Sequence, residues 1–220
     1  MTTLYGPNHR DLQDHFDTRR LADNVERRVV EPAISDFHRG FIEARDMFWL
    51  ATVDHRGRPT VSYKGGDPGF VRVLDDTTLA FPSFDGNGMF YSMGNIAGND
   101  QVGLLFTDFE TPYRLRIQGT ATIDDNDPLL DQVYEAQLIV RVAVTEVFRN
   151  CPRYVHRYDK VADSRYVPRE GEDTPLAGWK RAKEIQPDLP AKDQGRAEKE
   201  GGYRSFDEQI DLTRKGDPTA

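Results

Sequence analysis

Short apolar runs rich in β-branched and aromatic residues recur between residues 48 and 148, separated by glycine, proline and aspartate. Runs of this length and composition are typical of β-strands. Four of them lie between residues 48 and 81, joined by connections of hairpin length, which predicts antiparallel pairing. Residues 138–148 form the longest run and the best candidate for a central strand. The pattern predicts a mainly β (α+β) fold, an antiparallel barrel of six strands with peripheral helices.

Helical spacing appears on both sides of this region. Asp17 is a candidate N-cap for a first helix, and a second is predicted over residues 33–45, with Pro32 in its first turn. A third short helix is predicted over residues 89–97, after the loop at residues 83–88. The second helix would present an apolar stripe to the barrel: Ile34, Phe37 and Phe41. His38, beside this stripe, is interpreted as a surface or cap-facing histidine.

The change in composition along the chain predicts three segments. Residues 1–46 would form an N-terminal arm and helices that cover the barrel, and residues 47–160 the barrel domain. Residues 161–220 are charged and weakly periodic, which favours a C-terminal extension that is partly extended or disordered.

Charge and cysteine content narrow the classes of function. The net charge is −8, from 29 Lys and Arg against 37 Asp and Glu, so nucleic acid and anionic membranes are not expected partners. No apolar run approaches the roughly 20 residues needed to cross a bilayer. Cys151 is the single cysteine, and the first 16 residues lack the apolar core of a signal peptide. We expect a cytoplasmic protein.

The stretch from residue 59 to residue 106 carries the candidate chemistry. Ser62 and Lys64 alternate on one predicted strand and so point to one side, where they offer an anion a hydroxyl and a point charge. A loop and helix start at residues 85–92 add backbone N–H groups, with Asn87 and Ser92 as neutral donors. The alternative is that Asn87 and the neighbouring glycines only shape a tight turn. From spacing alone, the two interpretations have about even weight.

Other candidate groups are less specific. Arg114 and Arg116 lie on the polar face of the strand at residues 114–123, where solvent is favoured over a charged cavity. No two of the five histidines are spaced as i,i+4 metal ligands, so no metal site is predicted. Cys151 and His156 need not meet, so a nucleophile pair is not favoured. Nucleotide-binding glycine motifs and the hydrolase elbow are absent.

Several blocks in order resemble the pyridoxamine 5′-phosphate oxidase-like superfamily of FMN-binding split barrels, in a bacterial branch of unassigned substrate. The resemblance covers residues 17–158 and is carried by FDTRRLAD, FIEARDMFWLATVD, VSYKGGDPGFVRVLDD, FPSFDGNGMFYSMGNI, RLRIQGTATI and NCPRYVHRY. It implies a homodimer with FMN between the subunits and a small-molecule substrate. It also implies a set of cofactor-binding residues: Ser62, Tyr63, Lys64, Pro82, Ser83, Phe84, Asn87, Ser92, Arg114, Arg116 and Arg153.

One departure from the family pattern concerns the phosphate. Relatives commonly carry arginine in the loop after the fourth strand, whereas here no basic residue lies between Ser83 and Ser92 and Met89 stands about where it would be. Lys64 and Arg72 are the candidates to compensate.

Two other ligands remain open within the same fold. One is the deazaflavin F420, bound by a reductase. The other is haem or another tetrapyrrole in a non-catalytic protein, with His38, Cys151 or His156 as candidate ligands. The chain also lacks the W-R-L-x-P-type ending expected of a true pyridoxamine phosphate oxidase. The resemblance therefore favours an FMN-dependent oxidoreductase whose catalytic residues are unknown.

Overall fold

A computed structural model describes residues 4–220 of the chain. The chain forms two compact units, the first ending at Val161 and the second beginning at Ala162. Among the described residues, no helix combines the length and the apolar content that a membrane crossing requires.

The first unit is built on one antiparallel sheet. Its order is β3-β2-β6-β7-β8-β5-β4, and β1 also pairs with β8. The strands are β1 (Val30–Glu31), β2 (Met47–Val53), β3 (Pro59–Gly65), β4 (Arg72–Val73), β5 (Thr78–Ser83), β6 (Gln101–Asp108), β7 (Tyr113–Asp124) and β8 (Leu138–Asn150). The antiparallel, mainly β prediction is confirmed, but the described residues contain eight strands rather than six. Strand β1, of only two residues, is too short to leave a hydrophobic period, whereas β4 lies within one of the four apolar runs predicted between residues 48 and 81.

Four helices accompany the sheet. They are α1 (Pro7–His15), α2 (Arg19–Val29), α3 (Asp36–Glu43) and α4 (Tyr91–Gly98), with a 3-10 turn at Pro128–Gln132. Two predicted helix starts were wrong. Asp17 has a positive φ of 53° and precedes the N-cap Thr18. Pro32 lies outside α3, because Ser35 caps that helix and its first residue is Asp36.

The barrel interior is apolar and rich in phenylalanine. Phe48 is fully buried, and its ring centroid lies 4.9 Å from that of Phe81 and 5.0 Å from that of Phe106. Phe48 and Phe106 come from the paired strands β2 and β6, and Phe81 comes from β5, so the cluster joins β5 to strands that are distant from it in the sheet. Burial of large aromatic side chains contributes much of the hydrophobic stabilisation of a core this size.

Strand β7 alternates as predicted. Leu115, Ile117 and Ala121 are buried, whereas Arg116 and Gln118 are not. The ladder to β8 shifts register between Gln118 and Gly119, as at a β-bulge. A Cβ on Gly119 would stand 2.2 Å from the carbonyl oxygen of Ala143, so only glycine fits this close approach.

Helix α3 covers the sheet through Ile42, which is fully buried. Its first turn is closed by a capping box: the Ser35 hydroxyl accepts from the His38 backbone N–H at 3.3 Å, and the His38 ring accepts from the Ser35 N–H. The cap-facing interpretation of His38 is therefore confirmed, although the side chain is buried rather than on the surface. Burial lowers the pKa of His38, and nearby Glu31 partly opposes this effect.

The regular elements of the second unit, residues 162–220, are short helices. They are 3-10 turns at Gly178–Arg181, Lys183–Asp188 and Ala191–Asp193, followed by α5 (Arg196–Lys199) and α6 (Phe206–Arg214). Its interior contains a buried ion pair, in which the Lys180 ammonium lies 2.7 Å from the Asp193 carboxylate. Buried charges require such a partner because the isolated ion would lose its hydration without compensation.

Candidate functional site

A cavity of about 360 Å³ lies between β3, the loop that follows β5, and the start of α4. One wall is formed by the face of β3 that carries Thr60, Ser62 and Lys64. The loop and the helix form the opposite wall. The residues that line the cavity are Thr60, Val61, Ser62, Lys64, Ser83, Phe84, Asp85, Gly86, Asn87, Gly88, Met89, Phe90, Tyr91, Ser92, Met93 and Gln137. Its volume lies within the range of roughly 300–1,000 Å³ usual for small-molecule sites.

A row of polar contacts joins β3 to α4 along this cavity. The Asn95 amide donates to the hydroxyl oxygens of Thr52, at 3.0 Å, and Thr60, at 3.3 Å. Two residues further along β3, the Ser62 and Ser92 hydroxyls lie 3.0 Å apart. Lys64 is the next inward residue of the strand. We call Thr60, Ser62 and Lys64, with their α4 partners, the polar row.

Lys64 ends the polar row without a counter-ion. Its side chain is half-buried, and no carboxylate among the described residues pairs with its ammonium group. Burial lowers the pKa of Lys64 below its ordinary value, and no neighbouring charge contributes to the shift. A cation in this setting favours a bound anion, because an anion would restore the interactions that burial removed.

The first turn of α4 faces the same cavity and has no side-chain cap. The residue at the cap position, Phe90, has φ 47° and ψ 28°, a left-handed conformation that is rare for a bulky side chain. Tyr91, Ser92 and Met93 follow it and all line the cavity. An uncapped helix start presents backbone N–H groups and the positive end of the helix dipole, which favour negative charge.

Asp54 holds the hairpin turn between β2 and β3 against the start of α4. Its buried carboxylate accepts from the backbone N–H groups of Arg56 and Arg58, each at 2.9 Å, and from the Tyr91 hydroxyl at 3.3 Å. Burial alone would raise the pKa of Asp54, but the hydrogen bonds from Arg56 and Tyr91 lower it below its ordinary value. An ionised Asp54 therefore fixes the helix start that lines the cavity.

The loop between β5 and α4 is ordered by its own side chains. The Asn87 side-chain oxygen accepts from the Met89 N–H at 3.1 Å, which is an Asx turn, and Gly88 has a positive φ of 75°. The alternative of a turn-forming Asn87 is thus present in the structure, and the same residue also lines the cavity. Met89 and Phe90 leave 64% and 51% of their surface exposed at the cavity rim.

The family model for pyridoxamine 5′-phosphate oxidase matches residues 34–157 of this chain, which is more than half of its length. The chain belongs to this family. The match spans β2 to β8 and includes every residue of the cavity, so the family assignment confirms the predicted resemblance. The search of curated proteins found no match to this chain.

Solved structures of the split-barrel type also align with the chain. HupZ of Group A Streptococcus is 19% identical over 57% of this chain and 99% of its own, with a TM-score of 0.44. An FMN-binding protein of Syntrophomonas wolfei is 13% identical over 64% and 97%, with a TM-score of 0.39. An FAD-binding protein of Mesorhizobium loti is 12% identical over 56% and 99%, with a TM-score of 0.38. At these TM-scores the structural similarities do not contribute to the family assignment.

Within this family member, the structure brings one group of the predicted residues together. The cavity is lined by Ser62, Lys64, Ser83, Phe84, Asn87 and Ser92. Tyr63 and Pro82 do not line it. Alternation turns Tyr63 to the outer face of β3, where it is 62% exposed, and Pro82 is buried in β5 opposite Ile139.

The three predicted arginines also lie away from the cavity on their own chain. The Arg114 guanidinium donates to the Cys151 carbonyl oxygen, and Arg116 is exposed with its guanidinium 5.6 Å from the Phe148 ring centroid. Arg153 is exposed in the segment after β8. Arg72, the proposed compensating cation, donates to Gln132 and is not among the lining residues.

The candidate haem ligands do not meet. His38 belongs to the cap of α3, Cys151 is exposed, and His156 is exposed in the segment after β8. None lines the cavity. Across residues 4–220, we find no group of three or more His, Cys, Asp or Glu side chains arranged to hold a metal ion.

Sequence reasoning missed the supports of the site: Asp54, Thr52, Thr60 and Tyr91. Thr60 had a usable signal, since it shares the alternation of Ser62 and Lys64 on β3. Asp54 and Tyr91 are 37 residues apart, and no local pattern links a turn carboxylate to a distant helix start.

Proposed function

We propose that the protein is an FMN-dependent oxidoreductase that acts on a small molecule and binds the flavin phosphate in the cavity between β3 and α4. The observation that carries this proposal is the half-buried Lys64, which lines the cavity without a counter-ion among the described residues. The start of α4 supports the same anion, because its first residues line the cavity and no side chain caps their N–H groups.

The residues present fit a phosphorylated flavin. Lys64 would hold the phosphate charge, and the Ser62 and Ser92 hydroxyls, 3.0 Å apart, would donate to phosphate or ribityl oxygens. Phe84 is half-buried in the same wall and offers an apolar surface for the ring system. When bound, a flavin supplies the electron chemistry, while the protein supplies position, hydrogen bonds and exclusion of water.

The working unit that we propose is a homodimer with the cofactor at the subunit interface. Support comes from the residues that the resemblance implies but that do not reach the cavity on their own chain. Arg116 and Arg153 are exposed, as is the outward-facing Tyr63, so each is available to a second copy. Sedimentation equilibrium would test the dimer, and a monomer with full flavin affinity would contradict it.

We also propose a cytoplasmic location and a small-molecule substrate. The location is supported by the single cysteine, Cys151, whose thiol is free and exposed, as is usual in a reducing compartment. The substrate class is supported by the size of the cavity, which suits a cofactor and a small ligand. F420 and haem stay as the alternative ligands, each with its own absorbance spectrum.

The decisive experiment compares FMN with riboflavin, which lacks the phosphate, on wild-type protein and on Lys64→Met. Wild type should bind FMN about 10- to 100-fold more tightly than riboflavin, as one charge-assisted contact commonly provides. In Lys64→Met this ratio should fall close to one. Lys160→Met is the matched control, because it removes the same charge from the first unit at a surface ion pair with Asp46, outside the cavity.

Two results would contradict the phosphate site. One is equal affinity of the wild-type protein for FMN and riboflavin. The other is a loss of the FMN preference in Lys160→Met as large as that in Lys64→Met. Absorbance of the purified protein gives an independent test, since the proposal expects flavin bands from bound or added FMN.

A further inference from the structure

We propose that Asn87 is a site of spontaneous modification, at which the side-chain amide is lost and a mixture of aspartate and isoaspartate forms. We further propose that this change weakens the binding of anions in the cavity. The place of the modification follows from the loop between β5 and α4. The effect on affinity rests on the proposed function, because it assumes that a phosphate lies beside Lys64 in the cavity that Asn87 also lines.

Asn87 is followed by Gly88, and this is the one Asn-Gly pair in the chain. Both residues are exposed, and a Cβ on Gly88 would meet no atom within 4 Å. Loss of an asparagine amide depends on the approach of the next backbone nitrogen, which a side chain on the next residue hinders. Glycine has no such side chain and leaves the backbone free to rotate. The sequence and the exposure of the loop therefore favour the reaction at Asn87 over the other asparagines.

The hydrogen bonds of the loop leave the reacting groups available. The Asn87 side-chain oxygen accepts from the Met89 N–H at 3.1 Å, which folds the amide back toward the Gly88 peptide and polarises its carbonyl. The amide nitrogen, which is the leaving group, donates to the Met89 sulfur at 3.3 Å, and a thioether is only a weak acceptor. Among residues 4–220, no backbone carbonyl accepts the Gly88 N–H. The nucleophile, the carbonyl and the leaving group are therefore close together in a single turn.

The reaction needs water and no other reactant. The Gly88 nitrogen gives its proton to solvent and forms a bond to Cγ of Asn87. The bond from Cγ to Nδ2 breaks, and the amide nitrogen takes a proton from solvent and leaves as ammonia. Water then opens the cyclic imide. Addition at Cγ yields aspartate, whereas addition at the backbone carbonyl yields isoaspartate, in which the main chain runs through Cβ and Cγ and is one carbon longer.

Either product changes the charge of the cavity. Lys64 and Asp85 are the charged side chains among the described residues that line it, so their formal charges cancel. A carboxylate at position 87 leaves the lining with a net charge of −1, which repels a phosphate. Isoaspartate also lengthens the loop shortly before Phe90, whose left-handed backbone precedes α4. The modification therefore opposes anion binding through charge and through displacement of the helix start.

The test incubates the purified full chain at mildly alkaline pH and follows each asparagine by peptide mapping with mass spectrometry. The mass change of amide loss should appear first at Asn87, and faster as the pH is raised, because hydroxide removes the Gly88 proton. Asn126 is the internal control, since it is also exposed but is followed by the buried Asp127 rather than by glycine. It should be modified more slowly than Asn87.

Flavin fluorescence on the same samples gives the ratio of FMN to riboflavin affinity. This ratio should fall as the modified fraction grows, to about a tenth of its starting value when modification is complete. Asn87→Asp introduces the charge at once and should show a similar loss in fresh protein. Asn87→Ser has no amide to lose, so incubation should leave its own starting ratio unchanged. Thermal melts of every sample establish that it is folded.

Three results would overturn this inference. They are modification of Asn126 ahead of Asn87, an unchanged affinity ratio in fully modified protein, and a fall of the ratio in incubated Asn87→Ser as large as that in wild type. A fresh wild-type protein with no preference for FMN over riboflavin would instead contradict the proposed function. The mass measurement does not depend on a flavin, so it would still decide whether Asn87 is the site of modification.

Discussion

Helices α3 and α4 have the same length and the same task of covering the sheet, yet they begin in different ways. Helix α3 starts at a serine cap whose hydroxyl accepts from the first turn, in a capping box with His38. Helix α4 starts after a left-handed phenylalanine, and no side chain caps it. Side chains of the protein therefore cap the backbone N–H groups at the start of α3, whereas those at the start of α4 have no side-chain cap and face a cavity.

The two helices also contact the sheet differently. Both helices pack apolar side chains into the core, Ile42 from α3 and Met93 and Ile96 from α4. In addition, hydrogen bonds that involve Asn95, Ser92 and Tyr91 join α4 to the β2–β3 hairpin. Apolar contacts tolerate small shifts, but hydrogen bonds fix distance and direction. Helix α4 therefore positions the residues of the site as well as packing on the core.

The largest effect is expected from Ile42→Ala in α3. Removing a fully buried isoleucine side chain should lower the free energy of unfolding by about 2–5 kcal/mol, through lost burial and the cavity left behind. Urea unfolding followed by circular dichroism measures this loss. Where the variant is still folded, its ratio of FMN to riboflavin affinity should equal that of wild type. A change in that ratio would contradict the structural role of α3.

Asn95→Leu should have a smaller effect on stability and a clear effect on the ligand. Asn95 is buried, and its loss leaves the Thr52 and Thr60 hydroxyls with only each other, for a cost of about 1–3 kcal/mol. Because the same contact holds α4 against β3, FMN affinity should also fall. Isothermal titration calorimetry with FMN measures this affinity. Unchanged affinity in a destabilised variant would show that the position of α4 does not affect binding.

One substitution made in both helices gives the sharpest contrast. Ser35→Ala removes the α3 cap and should cost about 1 kcal/mol of stability, with no change in FMN affinity. Ser92→Ala removes a hydroxyl that faces the cavity and should weaken FMN several-fold, with a smaller loss of stability. Thermal melts and FMN titrations of both variants measure these effects. A loss of FMN affinity in Ser35→Ala with unchanged affinity in Ser92→Ala would refute the comparison.

The smallest expected effect is a dependence of stability on pH. The pKa of Lys64 is below its ordinary value of 10.5 in the folded protein, so between these two values the unfolded chain binds more protons. The free energy of unfolding of the ligand-free protein should therefore rise with pH across that window. Lys64→Met should lack this rise, as measured by urea unfolding at several pH values. An equal rise of the unfolding free energy in Lys64→Met would show that other titrating groups cause it.

The sequence predicted the parts of the fold that a local period encodes. Strand β7 shows this best, since its alternation of Leu115 and Ile117 with Arg116 and Gln118 appears unchanged in the structure. The short strand β1 was missed because two residues carry no period, and its pairing depends on the distant β8. The start of α3 was misplaced because proline was weighed above the serine cap.

The candidate site was predictable only where its residues are close in the chain. Ser62 and Lys64 share a strand, and Asn87 and Ser92 share a loop and helix start. Their supports come from contacts over 35 to 43 residues, such as Asn95 with Thr60 and Thr52, which depend on the fold. The roles predicted for Arg114, Arg116 and Arg153 stay predictions, since none of these side chains lines the cavity.

Strand β8 has a consequence for how the sheet is made. It pairs with β7, β5 and β1, and the pair of Val30 with Phe148 closes a loop of more than 100 residues. During synthesis the chain emerges from its N-terminus, so β1 and β5 have no partner in β8 until the last strand is available. Pairing over such separations slows folding, because the entropy of loop closure precedes any gain from contacts. The unpaired edges of the earlier strands are then the surfaces most exposed to aggregation.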